Sequence, residues 1–165
     1  MTAEVDHGLG RSRGGFSSKI HVVCDGYGNP LGAVISGGHR NDAALFEQTL
    51  KSVSIPQRRG RPKTKPNAVI ADKGYDFSPV RKYLQGRNIK AVIPSRKMPD
   101  HWKCHKRGPK PKTNFKIYKE RNVVERLIGW VKNCRRIATR FEKYAHSFLS
   151  MVKLAFIKFF LKKYF

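Results

Sequence analysis

The apolar positions along this chain change period several times, and each change marks an element. Residues 19–24 (KIHVVC) and 31–36 (LGAVIS) are short and rich in β-branched side chains, the composition of strands. Asp25-Gly26 and Asn29-Pro30 supply turn residues between them, so the pair reads as a hairpin. Gly37-Gly38 ends it, and Asp42 is predicted to cap a helix over 43–53. Residues 68–71 (AVIA) and 89–93 (IKAVI) are continuous apolar runs, as buried strands are. Between them Ser78-Pro79 reads as an N-cap followed by Pro at the first helical position, predicting a helix over 79–85 that stops at Gly86. Strand, helix, strand with loops this short predicts a right-handed parallel unit.

Downstream the period becomes helical. In residues 118–132 (YKERNVVERLIGWVK) the apolar Val124, Leu127, Ile128 and Val131 recur at threes and fours, predicting one amphipathic helix. At about 100° per residue, Tyr118, Arg121, Glu125 and Lys132 fall within roughly 60° of one another. After a basic break at Arg135, Arg136 and Arg140, a last apolar helix runs from about residue 143 to the end. Lys153, Lys158, Lys162 and Lys163 interrupt its hydrophobicity, so it reads as a core helix and not as a membrane span. The order hairpin, helix, strand, helix, strand, helix, helix predicts an α/β domain with a mixed sheet. With 165 residues the chain reads as a single domain, preceded over residues 1–15 by a basic, Gly-rich flexible arm.

Charge then narrows the partners. Lys and Arg number 35 against 11 Asp and Glu, a formal net charge of +24. Self-repulsion of that size is relieved by a polyanion, and nucleic acid is the expected partner ahead of an acidic membrane surface. Residues 56–66 (PQRRGRPKTKP) form a basic loop without an acid, either a solvated linker or, as the net charge favours, a nucleic-acid contact, and 95–113 form a second basic, Pro-containing loop. Cys24, Cys104 and Cys134 are far apart and odd in number, which excludes a disulfide framework and fits a reducing compartment. His101, Cys104 and His105 have no second pair to complete a zinc set.

The few carboxylates can be weighed singly. Asp25 sits in a turn and Asp42 at a cap; Asp76 and Asp100 lie in loops; Glu47, Glu120 and Glu142 have polar or basic surroundings. Asp72 differs, because it ends a predicted buried strand, where open α/β sheets place their sites and where a carboxylate faces a crevice. Lys73-Gly74 beside it suits close approach to a phosphate. Glu125 lies between two cations on its helix face: either a surface ion-pair ladder or a metal-binding carboxylate with cations set to hold phosphates. Asp72 and Glu125 are therefore the candidates for a hard-cation site, and two such ions could clamp an in-line phosphoryl displacement.

These segments together resemble the catalytic domain of bacterial insertion-sequence transposases of the DDE class, specifically the group named for insertion sequence five. GRSRGGFSSKIHVVCDGYGNPL is similar to that family's entry into its second and third strands, and GGHRND to the turn before its first helix. VIADKGYD resembles the motif of the second catalytic Asp, here Asp72. Most specific is the spacing Tyr, two residues, Arg, three residues, Glu, six residues, Lys, which Tyr118, Arg121, Glu125 and Lys132 match without a gap. RRIATRFEK also resembles the family.

The resemblance implies an RNase H-like fold with its mixed sheet flanked by helices. It also implies cleavage at the element ends and strand transfer into target DNA, dependent on Mg²⁺ or Mn²⁺ with two ions in the complete site. Asp72 and Glu125 would be catalytic metal ligands. Lys73, Tyr118, Arg121 and Lys132 would contact DNA or position the acids, as would Arg11 and Arg13 in the arm. The expected partners are DNA ends and target, bound by a homo-oligomer in the bacterial cytoplasm at the nucleoid, with no membrane.

One departure bears on activity. In the family the first catalytic Asp lies on a central strand upstream of GRSRGG, between the hairpin and the Asp72 strand. Here residues 1–9 have no strand pattern, Asp6 is too close to GRSRGG, and Asp25 is on the hairpin turn. The expectation is a chain that acts as part of a longer or frameshifted product. The alternative is a catalytically inactive DNA-binding remnant or regulator of transposition. A basic RNA-binding protein is disfavoured, because the aromatics concentrate in the last helix and not on a stacking surface. A histidine-based nuclease is disfavoured because His21, His39 and His146 are scattered.

Overall fold

The protein is described by a computed structural model, which covers residues 7–96 and 114–165. The elements are β1 (Gly10–Ser12), β2 (Gly15–Cys24), β3 (Pro30–Gly37), α1 (Phe46–Lys51), β4 (Ala68–Ile70), α2 (Ser78–Gly86), β5 (Lys90–Val92), α3 (Phe115–Tyr118), α4 (Asn122–Lys132), α5 (Arg135–Ala138) and α6 (Ala145–Tyr164). The chain is a mixed α/β protein with two compact units. The first comprises Met1–Thr64 and Asn122–Phe165; the second is Lys65–Arg121.

In the first unit β2 and β3 form the expected hairpin, antiparallel from Ser18↔Gly37 to Cys24↔Pro30 with a bulge at Val23/Cys24. Its turn is set by Asp25, whose Oδ1 accepts from the backbone N–H of Tyr27 and Asn29, both at 2.9 Å. Alternation along the strands sorts the two faces. Ile20, Val22 and Cys24 of β2 and Ala33 and Ile35 of β3 join a core with Leu127, Val131, Ile137, Phe148, Val152 and Phe156 from α4, α5 and α6. The opposite face carries His21 paired with Val34, and α1 packs on it through Leu50 and its neighbours. Gly32 lies on that α1 side; a Cβ there would crowd Ser52, whose backbone is 3.3 Å away, so glycine eases this close approach.

Within the segment expected to be an arm, Gly10–Ser12 form a strand. Met1 to Asp6 lie outside the described residues, but β1 pairs with the start of β2, Gly10↔Ser17 to Ser12↔Gly15. The segment is then fastened from the far end of the chain by Arg140. Its guanidinium donates to the carbonyls of His7 (2.6 Å) and Gly8 (3.3 Å), to those of Glu142 (2.8 Å) and Lys143 (3.1 Å), and to the Ser18 hydroxyl. It also lies over the Phe148 ring, 4.9 Å from the centroid. Backbone carbonyls of Gly-rich chain are good acceptors for a five-donor fork, which is why this stretch is held despite its composition.

The second unit is smaller. β4 and β5 are parallel, Ala68↔Lys90 to Ile70↔Val92, and α2 connects them. Val80, Leu84, Ile89, Val92 and Ile93 are its buried residues. β4 is less covered than a buried strand, with Ala68 exposed and Val69 and Ile70 half-buried. Among the described residues the strands therefore form two sheets, β1-β2-β3 and β4-β5, and not the single mixed sheet that the element order predicts. Apolar runs disclose that strands exist, while pairing depends on which edges meet.

Four further details differ from the sequence pattern. Asn41, not Asp42, caps the turn over Asp42–Leu45, its side chain accepting from the Ala43 N–H; Asp42 instead pairs with Lys19 at 3.0 Å. Ser78 is the first residue of α2 and Phe77 its cap. The stretch 118–132 is not one α-helix: a 3₁₀ turn, Lys119–Arg121, separates α3 from α4. The break falls just before Asn122, a residue type of lower helix propensity than Lys, Glu or Arg before it. Finally, α6 is only half core. Phe148, Val152, Ala155 and Phe156 are buried, while Leu154, Ile157 and Leu161 are each 55% exposed. None of the helices among the described residues is long and apolar enough to cross a membrane.

Candidate functional site

The site of interest forms where β4 ends in the second unit. The chain leaves Ile70, reaches Asp72, and turns through a single 3₁₀ turn, Lys73–Tyr75. Asp72 caps this turn: its Oδ1 accepts from the Lys73 N–H at 2.7 Å, and its carbonyl accepts from Tyr75 at 2.9 Å. That fixes the carboxylate at the carboxyl end of a parallel strand. Asp72 is exposed and does not face a closed crevice; it opens onto a groove of about 390 Å³ lined by Asp72, Lys73, Gly74, Ser95 and Arg96. The strand is too short, and its sides too thinly covered, to sink its last carboxylate.

Two of the other expected residues converge here. The Tyr118 hydroxyl, from α3, donates to Asp72 Oδ1 at 3.5 Å. Arg121 lies over the Tyr118 ring, 5.6 Å from its centroid, and Phe115 meets the same ring edge-on at 6.4 Å. Asn114 caps α3, accepting from the N–H of Lys116 and Ile117, so the helix start that presents Tyr118 is locally encoded. Asp72, Lys73, Tyr118 and Arg121 thus form one cluster: a carboxylate, a phenol that steadies it, and two cations.

The remaining expected residues belong to the first unit. Glu125 and Lys132 are both exposed on α4; seven residues apart, they share a face. Arg11 is exposed on β1 and Arg13 in the tight turn between β1 and β2, not on a free arm. His101, Cys104, His105 and most of the basic loop 95–113 lie outside the described residues.

The fit to a divalent metal can be judged from the donors. Asp72 Oδ1 is engaged by two donors, and no donor to Oδ2 is found among the described residues; a carboxylate oxygen is a hard donor of the kind Mg²⁺ takes. No group of three or more His, Cys, Asp or Glu that could hold an ion exists among the described residues. Asp72 offers a donor of the right chemistry in the second unit, and Glu125 is an exposed carboxylate of the first.

Sequence reasoning passed over four residues that shape the groove: Asp76, Arg81, Ser95 and Arg96. Asp76, read only as a loop acid, is partly buried and bonded to Arg81 at 2.6 Å, their side chains 19% and 24% exposed. The five-residue spacing of an acid and an arginine across a helix start is a weak signal, and nothing local points to Arg96.

A basic chain with an exposed carboxylate at a strand end, flanked by cations, has the parts of a phosphodiester-handling protein. The chain belongs to the transposase DDE domain family, which its residues 4–158 match. It is 34% identical over 138 residues to a protein from Burkholderia cepacia named as a transposase for insertion sequence element IS402, covering 83% of this chain and 59% of that protein. It is 30% identical over 139 residues to one from Brucella ovis named as a transposase for insertion sequence element IS6501, covering 84% of this chain and 94% of that one. The match thus spans little more than half of the Burkholderia relative. No solved structure matches the chain.

Proposed function

We propose that this chain carries part of the catalytic apparatus of an insertion-sequence transposase, and that it cleaves and transfers DNA strands as part of a longer or frameshifted product. The observation that carries this reading is the Asp72 cluster, in which the family's motif acid stands exposed beside Lys73, Tyr118 and Arg121. Asp72 and Glu125 are the residues that would hold Mg²⁺ or Mn²⁺. The bound metal would polarise the phosphodiester and stabilise the charge that develops on it. The protein's own contributions are positional. The Lys73 N–H and the Tyr118 hydroxyl hold one oxygen of Asp72 and leave the other open. Lys73, Arg121 and Lys132 meet DNA phosphates, as do Arg11 and Arg13. A homo-oligomer acting on paired ends in the cytoplasm, at the nucleoid, completes the reading.

An RNase H-like sheet is part of the proposal. Its support is that both sheets are short of neighbours among the described residues. Beyond Ser17, β2 pairs with β3 alone, and β4 pairs with β5 alone. Two three-residue parallel strands bury too little to stand without further cover. A strand added beside β2, carrying the family's first Asp, would supply both ladder and acid.

The competing reading, a DNA-binding regulator without cleavage, is favoured by the lack of an acid cluster among the described residues. One experiment separates them. DNA carrying the element's ends is incubated with Mg²⁺ or Mn²⁺ and either this chain or a product extended to include the upstream strand. The chain alone is expected to bind DNA in a salt-dependent way without cutting it. The extended product is expected to cut, and to stop on Asp72→Asn or Glu125→Gln. Cutting by the chain alone would refute the missing acid; an extended product that only binds would favour the regulator.

A further inference from the structure

The groove beside Asp72 has two walls of different origin. Asp72, Lys73 and Gly74 come from the exit of β4, whereas Ser95 and Arg96 come from the exit of β5. The second wall is held in place by Asp76. Its Oδ2 accepts the Arg96 backbone N–H at 2.7 Å, and its Oδ1 accepts Arg81 Nε at 2.6 Å. Arg81 in turn donates from Nη2 to the Ile93 carbonyl at 2.9 Å. One carboxylate at the start of α2 therefore ties together the exits of both parallel strands.

The Arg96 side chain is positioned separately. Its guanidinium lies over the Phe77 ring, 5.2 Å from the centroid, and among the described residues it has no carboxylate partner. An arginine stacked by its face keeps its edge donors, arranged in a fork that matches two oxygens of a phosphate. Lys73 and the Ser95 hydroxyl stand on the same groove. A phosphodiester brought next to the Asp72 carboxylate needs cationic donors to offset the repulsion; Arg96 and Lys73 provide them, and Ser95 adds a neutral hydroxyl. Resting on the transposase reading above, we propose that Arg96 is a phosphodiester-binding residue of the Asp72 groove, held ready for DNA by Phe77 and Asp76.

The test is fluorescence anisotropy of a short labelled DNA duplex with the full chain, in metal-free buffer over a range of NaCl. Arg96→Ala is compared with Lys82→Ala, which removes the same charge from an exposed position on α2 outside the groove. Arg96→Ala is expected to weaken binding roughly tenfold and to lower the salt slope by about one, Lys82→Ala by less than about twofold. Arg96→Lys, which keeps charge but not the fork, falls between. Asp72→Asn relieves repulsion and is expected to tighten binding in the wild-type background but much less with Arg96→Ala, a non-additivity that places both on the same phosphate. Equal losses from Arg96→Ala and Lys82→Ala would overturn the assignment. Additive effects of Asp72→Asn and Arg96→Ala would remove Arg96 from the groove and also overturn it. If the wild-type chain binds no DNA, the transposase reading falls as well.

Discussion

Replacing Asp76 by alanine is the sharpest probe of how the second unit holds its site. The wild-type carboxylate accepts a 2.6 Å charge-assisted bond from Arg81 and a 2.7 Å one from the Arg96 N–H. Removing one partner of a fully buried ion pair costs about 3–5 kcal/mol. With the Asp76 and Arg81 side chains 19% and 24% exposed, solvent relieves part of that, leaving about 1.5–2.5 kcal/mol. The lost bond to Arg96 adds about 1 kcal/mol. The sum, about 2.5–3.5 kcal/mol, shifts the local opening equilibrium by roughly two orders of magnitude. Exchange of the Leu84 and Val92 amides, whose residues are 0% and 1% exposed, reads that opening directly. The internal control is the Glu47–Lys51 pair on α1, 52% and 63% exposed, where Glu47→Ala should cost no more than about 0.5 kcal/mol. If Asp76→Ala proves as mild as Glu47→Ala, the clamp is not what holds these loops.

Three other outcomes follow from the first unit. Arg140→Lys keeps the charge but cannot reach the His7, Gly8, Glu142 and Lys143 carbonyls together; it should cost about 2–3 kcal/mol in urea unfolding, nearly as much as Arg140→Ala. His21 is buried against Ser36, its Nε2 2.8 Å from the hydroxyl oxygen. Burial lowers its pKa, opposed by Asp42 and reinforced by Lys19. The unfolded chain then binds the proton more readily, so stability holds above about pH 6.5 and falls as pH drops below it. His21→Asn should flatten that acid-side slope. The Cys24 thiol is pushed up to about 11 by burial and then by Asp25. With only ~0.1% thiolate at about pH 8, iodoacetamide should label Cys24 slowly in the native chain and rapidly in urea, read by peptide mass; rapid native labelling would contradict its burial.

What the sequence determined alone is local. The β2–β3 hairpin, its Asp25 turn, the Pro79 in the first turn of α2 and the strand just before Asp72 each depend on a few neighbouring residues whose φ, ψ and side-chain bonds reinforce one another. The family resemblance was legible for the same reason, since its motifs are contiguous. Tertiary structure alone decided the rest. It drew the Gly/Arg-rich stretch after Asp6 into a strand, because the guanidinium that fastens it is 122 residues from its Ser18 partner. It distributed the strands between two sheets and left one side of α6 open. Asp76 shows the reason most directly. By sequence it is a loop acid with nothing to recommend it, yet its partner Arg96 is 20 residues away on another strand exit. An acid's role is set by the donors that reach it, and those donors are brought by the fold.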